Sequence, residues 1–183
     1  MDEIEIVHKA QNGDRSAFGA LMEMHYRTVE KFAYQCGVHL NDIPDVTQEV
    51  FIKLYRFLPQ FNNQRFTTWL YKITLNTSRD YYRKVNRELA KEEVLKRGAK
   101  TTGPSAENQV LLFEEDKVLH EAILRLDEKY RIPLILFYFH NATYQQIADV
   151  LNISMSNVKT RIFRAKDSLK KEMSHYGGAT HGQ

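Results

Sequence analysis

The chain has 183 residues, 43% of them hydrophobic and 27% charged, with a net charge of +3. That is enough apolar mass for a core in one domain or two small ones. A single cysteine, Cys36, excludes an internal disulfide and a Cys-rich metal site, and no apolar run approaches the roughly 18–20 residues of a membrane-spanning helix.

Helical spacing runs through the sequence, with no alternating strand pattern, so an all-α fold is expected. Asn12-Gly13-Asp14 predicts a turn and cap before a helix through Phe18, Leu21 and Met22 to Tyr34. A break follows at Gly37 to Pro44. Asp45 opens a second helix that ends near Pro59. A loop at 60–65 leads to a third helix at about 67–84. Val85 to Asn108 is charged, then rich in Gly, Pro and Ser, and reads as a linker. A second helical unit runs from near Val110 to about Met173, and the tail after it reads as disordered. The organisation expected is two small helical domains, 1–86 and 109–175, joined by a flexible linker at 87–108 and followed by a tail at 176–183.

Charge is segregated along this order. Residues 1–60 carry net −3, 61–104 net +6, 105–152 net −4 and 153–183 net +4. Two basic blocks point to a polyanion held at two places.

Each helix divides into two faces. In the helix at 45–58 the inner stripe is Val46, Val50, Leu54 and Phe57. The outer face holds Asp45, Gln48, Glu49, Ile52 and Arg56. That face fits either solvent with one stray apolar residue or a docking surface with an apolar anchor. In the helix at 67–84, Phe66, Leu70, Ile73, Thr77 and Tyr81 face inward. Lys72, Asn76, Arg79 and Arg83 form the opposite stripe, which can track a phosphate backbone. Seven aromatics lie between residues 51 and 71. Phe51, Phe57 and Phe66 are expected in the core. Phe61, Trp69 and Tyr71 are candidates for stacking on unpaired bases, with Arg65 beside them.

Thr143 to Lys171 reads as two helices joined by a three-residue turn. The second helix carries Val158, Ile162, Ala165 and Leu169 on one face. At about 100° per residue, Phe163 lies roughly 120–140° from the centre of that stripe. Its neighbours are Lys159, Thr160, Arg161, Arg164 and Lys166, with Ser156 one turn earlier. A large aromatic facing outward among cations suits the major groove of duplex DNA.

Three motifs together carry a resemblance: Asp45 to Tyr55, then Phe66 to Ile73 with Asn76, then Thr143 to Leu169. In this order they resemble the bacterial RNA polymerase sigma factors of the extracytoplasmic-function (ECF) type, in the sigma-70 family. The resemblance implies that Asp45, Gln48, Glu49, Ile52 and Arg56 dock on the clamp coiled coil of the polymerase largest subunit. Phe61, Arg65, Trp69, Lys72, Asn76, Arg79 and Arg83 would hold the melted minus-ten element, with a flipped base captured by the loop at 60–66. Ser156, Lys159, Thr160, Arg161, Phe163, Arg164 and Lys166 would bind the duplex minus-35 element. It also implies contact with the flap of the second-largest polymerase subunit, promoter DNA as the ligand, and an anti-sigma protein, in many relatives membrane-anchored.

The chain departs from the family pattern in places. Pro44 stands where many members have an acid, Gln145-Gln146 replaces a common acidic pair, Ser156-Asn157 a common Gly-Thr, and Leu126-Asp127 a common Leu-Pro. No cofactor or metal is expected: the seven histidines show no ligand spacing, no Gly-rich phosphate loop is present, and an enzyme is not expected. A cytoplasmic location is expected. A stand-alone helix-turn-helix regulator with a ligand-sensing or dimerising N-terminal domain would explain the second basic helix, but not the Asp45–Tyr55 face.

Overall fold

The computed structural model describes residues 1–62, 65–95 and 117–177. All regular structure among them is helical, and the chain divides into two compact units, Met1–Phe113 and Glu114–Gln183.

The first unit holds α1 (Glu3–Gln11), α2 (Arg15–Gln35), α3 (Ile43–Phe57) and α4 (Phe66–Leu95), with short 3-10 turns at Leu40–Asp42 and Leu58–Gln60. The Asp14 carboxylate caps α2 by accepting from the backbone N–H groups of Ser16 and Ala17 at 2.9 and 3.1 Å. Gly13 precedes it with φ +91°, a left-handed turn that suits glycine. α3 begins at Ile43, two residues before the expected Asp45. Pro44 fits its first turn because no helical partner awaits an N–H there.

Val29, Val50, Phe51, Leu54 and Leu70 form the centre of the packing. On one side Ile6, Val7, Ala10, Leu21, Leu58 and Phe66 join α1 to it, and on the other Ala33, Val38, Ile43 and Val46 close the far end. Thr74, Thr77 and Ser78 are buried on α4. Each hydroxyl donates to the carbonyl four residues back, at 2.7–2.8 Å, so the core holds them at little cost.

Three sequence expectations are corrected here. Phe57 is not core but 42% exposed. The stripe Val46, Val50, Leu54 continues at the next four-residue step, and that residue is Leu58, which is buried. Val85–Leu95 is not linker but the last three turns of α4, so residue 86 lies within a helix. The segment is rich in Arg, Lys, Glu, Leu and Ala and contains no Gly or Pro. Good helix formers extend a helix that has already been nucleated, even with no core to face. The helix α1 was not expected at all. Residues 96–108 of the expected linker, residues 109–116 of the expected second unit and the tail from 178 lie outside the described residues.

The second unit holds α5 (Lys117–Leu124), α6 (Glu128–Phe139), α7 (Tyr144–Leu151) and α8 (Met155–Gly177). Ile123, Ile132, Ile135, Leu136, Ile147, Val158, Ile162 and Ala165 are buried together with their neighbours. Arg131 donates to the carbonyls of Leu124 and Leu126 at 3.1 and 3.3 Å, which closes the α5–α6 corner. Thr143 and Gln146 form a reciprocal capping box at the start of α7. Gln146 therefore does what an acid at that position does for the cap. Asn152 ends α7 in the left-handed region at φ 53°, a conformation asparagine tolerates. The Ser154 hydroxyl then accepts from the N–H of Asn157 at 3.1 Å. Asn152, Ile153 and Ser154 are the three-residue turn of a helix-turn-helix. α8 continues to Gly177, beyond the expected end at 171.

His120 is buried in α5, and burial pushes its pKa below the ordinary value. The unfolded chain therefore binds a proton at a pH where the folded unit does not. The stability this group contributes is full above its ordinary pKa of about 6.5 and is lost as pH falls below it. Urea unfolding of the second unit should show a lower midpoint at pH 5.5 than at 7.5, and His120→Phe should flatten that difference.

Candidate nucleic-acid and protein interfaces

Once the inner stripes are buried, each helix keeps an outer face. On the first unit, α2 and α3 form a cleft of about 820 Å³. Asp45, Gln48, Ile52 and Arg56 line it from α3, as the sequence placed them on one face. Glu49 is exposed on the same helix without lining the cleft. Ile52 is 43% exposed. The sequence did not reveal the opposite wall, formed by Phe18, Met22 and Tyr26 of α2, nor Tyr55 beside Ile52. The Tyr55 ring meets Phe18 edge-on at 5.0 Å, and Tyr26 stacks on Phe51 at 5.9 Å. An apolar floor with a polar rim, on two rigid helices, has the make-up of a protein-docking site.

The second face lies on α4 and the segment before it. Phe61 stacks on Trp69 with ring centroids 4.8 Å apart and meets Phe66 edge-on at 6.0 Å. Phe61 and Trp69 are half-buried, so each keeps an accessible edge. Tyr71 packs edge-on against Phe32 at 5.1 Å, and burial lifts its pKa to about 12. It belongs more to the core than to the surface. Arg65, Asn76 and Arg83 are exposed; Lys72 and Arg79 are half-buried. Arg79 donates to the Asn76 side-chain oxygen at 3.4 Å, leaving the Asn76 amide N–H groups to donate elsewhere. The stripe also contains an acid that the sequence reading passed over. Asp80 pairs with Arg83 at 3.2 Å and with Lys53 of α3 at 3.5 Å.

The third face is α8. Ser156, Lys159, Thr160, Phe163, Arg164 and Lys166 are exposed and Arg161 is half-buried, while Val158, Ile162 and Ala165 are buried on the other side. Phe163 is 75% exposed. The cations beside it rest on tyrosines of the neighbouring helices. Lys159 lies 5.6 Å from the Tyr144 ring centre and Lys166 5.6 Å from that of Tyr138. Arg164 donates a hydrogen bond to Tyr130, which lowers the phenol pKa, and the bond from Lys166 to Tyr138 raises that of the lysine. These pairs hold long side chains in place before any ligand arrives. An apolar cleft of about 500 Å³ adjoins this face, sharing Tyr138 and Lys166 with it and lined further by Leu119, Ile123, Leu134, Leu169 and Met173. The sequence reading missed it, since its walls come from three helices.

Among the described residues, no group of three or more His, Cys, Asp or Glu side chains could hold a metal ion, and no helix is long and apolar enough to cross a membrane.

These faces coincide with regions of known families. The sigma-70 region 2 family matches residues 21–88, and sigma-70 region 4 matches residues 116–169. The chain is 30% identical over 177 residues to the ECF RNA polymerase sigma-E factor of Haemophilus influenzae, covering 92% of this chain and 93% of that one. It is 29% identical over 176 residues to the ECF RNA polymerase sigma factor SigW of Bacillus subtilis, with 91% and 94% covered. Among solved structures, CnrH in complex with the cytosolic domain of CnrY matches with a TM-score of 0.71 at 25% identity, over 95% of this chain and 97% of that one.

The two faces of α8 should separate in stability measurements. Phe163→Ala should leave the unfolding free energy within about 0.5 kcal/mol of the parent. Ile162→Ala, one residue away but buried, should cost about 2–5 kcal/mol in urea unfolding.

Proposed function

The chain belongs to the ECF family of RNA polymerase sigma factors, and on that footing we propose that its exposed faces divide the work of promoter recognition and opening. As a sigma factor it directs RNA polymerase to promoters. The assignment of residues to tasks is our reading, and the observation that carries it is the coexistence of a two-helix docking cleft and an outward Phe163 in one chain. A stand-alone regulator needs the second and has no use for the first.

In this reading the first unit, assigned above to residues 1–86 and extended by the rest of α4, handles docking and strand separation. The polymerase clamp coiled coil seats in the α2–α3 cleft. Ile52 and Tyr55 supply the apolar contact, and Asp45, Gln48, Glu49 and Arg56 the polar rim. The Phe61–Trp69 stack offers a surface for an unstacked base, and each such contact contributes on the order of 1–3 kcal/mol. Arg65, Lys72, Arg79 and Arg83 position the strand's phosphates, and the Asn76 amide donates to a base edge. Strand separation costs a few kcal/mol per base, which capture offsets.

In the second unit, residues 109–175, α8 enters the major groove of the minus-35 element. Lys159, Thr160, Phe163 and Arg164 lie nearest the bases. Phe163 offers apolar contact to a thymine methyl and Arg164 a fork for guanine. Ser156, Arg161 and Lys166 take phosphates. The apolar cleft at Ile123 and Leu169 suits the polymerase flap, because it offers area to bury. The chain acts in the cytoplasm, as a non-enzymatic factor without cofactor. An anti-sigma protein would cover these faces when polymerase does not. That the structure of CnrH holds a second protein supports a protein partner for this fold.

In-vitro transcription with core polymerase on a genomic fragment library tests the whole reading. Promoter-specific transcripts support it; none from any fragment would overturn it. Gln48→Ala combined with Ile52→Asp should reduce core-polymerase binding, and undiminished co-purification would remove that cleft from the interface. Asn76→Ala should preserve polymerase binding yet weaken the permanganate footprint of the opened minus-ten segment.

A further inference from the structure

Helix α1 lies outside residues 21–88, the segment matched by sigma-70 region 2, and none of the assignments above uses it. Ile6, Val7 and Ala10 pack it on the rest of the unit, and Glu3 Oε1 lies 2.7 Å from His25 Nε2 of α2, which fastens the start of the helix. Gln11, its last residue, reaches across to a distant part of the chain. Its Nε2 donates to the Leu58 carbonyl at 3.2 Å and to the Phe61 carbonyl at 2.8 Å. These carbonyls bracket the Leu58–Gln60 turn. A cleft of about 1010 Å³ opens between α1 and the segment that follows, with His8, Gln11 and Asn12 on one wall and Phe61, Asn62 and Arg65 on the other.

An amide NH2 carries two protons, and here each is used on a backbone carbonyl outside regular helix. Phe61 is thereby held from two directions, its carbonyl by Gln11 and its ring by Trp69. A pocket whose walls are already set avoids the ordering cost of forming around its ligand, so more of the stacking energy appears as capture. The wall from α1 sets polar groups, Gln11 and Asn12 among them, beside Ile4 and Val7, with the carboxylates of Asp2 and Glu3 at its far end, and the opposite wall offers the Phe61 and Phe66 rings. This pairing suits a nucleobase, which presents a π face and a hydrogen-bonding edge at right angles to each other.

We infer that α1 forms the second wall of the pocket that takes an unstacked base of the melted strand, with Gln11 as the residue that positions the Phe61 side. This rests on the reading of the first unit as the strand-opening part.

The test uses the full chain with core polymerase and a single-stranded minus-ten oligonucleotide from a promoter found by transcription, alongside versions with an abasic site at each position in turn. Gln11→Met keeps the length and apolar stem of the side chain but has no donor. Loss of two neutral hydrogen bonds should weaken binding of the intact strand by about tenfold. Core-polymerase affinity should not change, and at one abasic position parent and variant should bind alike, because no base remains to be positioned. Equal binding of the intact strand by both proteins would overturn the inference. So would a loss that persists at every abasic position or that extends to polymerase affinity, since α1 would then only support the fold. If Gln11→Met lowers the unfolding midpoint, the exposed Asn12→Ala carries the same comparison. Weakened binding relieved at one abasic position supports the second wall, and unchanged binding overturns it. If Asn76→Ala also binds the strand like the parent, the strand-opening reading itself is at fault rather than the role of α1.

Discussion

Val50 and Leu54 of α3 meet Val29 of α2 and Leu70 of α4, and this apolar contact decides which face of each helix is left for partners. A unit of four helices can bury only one stripe of each. Where α3 turns Val46, Val50 and Leu54 inward, Asp45, Gln48, Ile52 and Arg56 must point out. Where α4 turns Leu70, Thr74 and Thr77 inward, Asn76 and Arg83 must point out. The same contact sets α2 beside α3, which turns two outer faces into one cleft. Binding surfaces on this unit are thus the complement of its core.

The second unit obeys the same geometry but adds a device of its own. Three of the cations on α8 rest against tyrosines from α6 and α7. A lysine or arginine side chain gives up as much as about 2 kcal/mol of rotamer freedom when it is fixed on a ligand. An aromatic seat takes part of that loss during folding, before DNA is met. The exposed Phe163 lies among side chains already held close to α8, so the surface it belongs to is shaped in advance.

Where one helix's own period settles the outcome, the sequence was a reliable guide. The stripe Val158, Ile162, Ala165 is buried and Phe163 is out, as a period of 3.6 requires. The three-residue turn expected between the last two helices is present at Asn152 to Ser154. At the end of α3 a period of 3.6 allows either Phe57 or Leu58 after Leu54; the stripe keeps its four-residue step into the 3-10 turn, which returns Leu58 to the core. Period alone could not reveal α1, a nine-residue helix whose stability comes from packing on α2 rather than from its own length. The exposed end of α4 has no core to face, so its charged sequence reads as linker although it is helical. The outward faces of α3, α4 and α8 were legible from their helical period. The opposite walls of the clefts, Phe18 and Tyr26 for one and Ile123 for another, depend on tertiary packing that leaves no local trace.

Asp80 changes what the basic stripe of α4 can be worth. Arg83 already has a carboxylate 3.2 Å away, and Lys53 is drawn toward the same acid. A phosphate that reaches Arg83 meets a cation whose charge is partly spent, so it sheds fewer of its own condensed counterions than the ~0.7 per contact typical of single strands. The entropy of ion release, which drives much of nonspecific binding to nucleic acid, is correspondingly reduced at this one contact. At the Arg83 end of α4 a strand is therefore held less by bulk attraction than by the shape and donors of the surface.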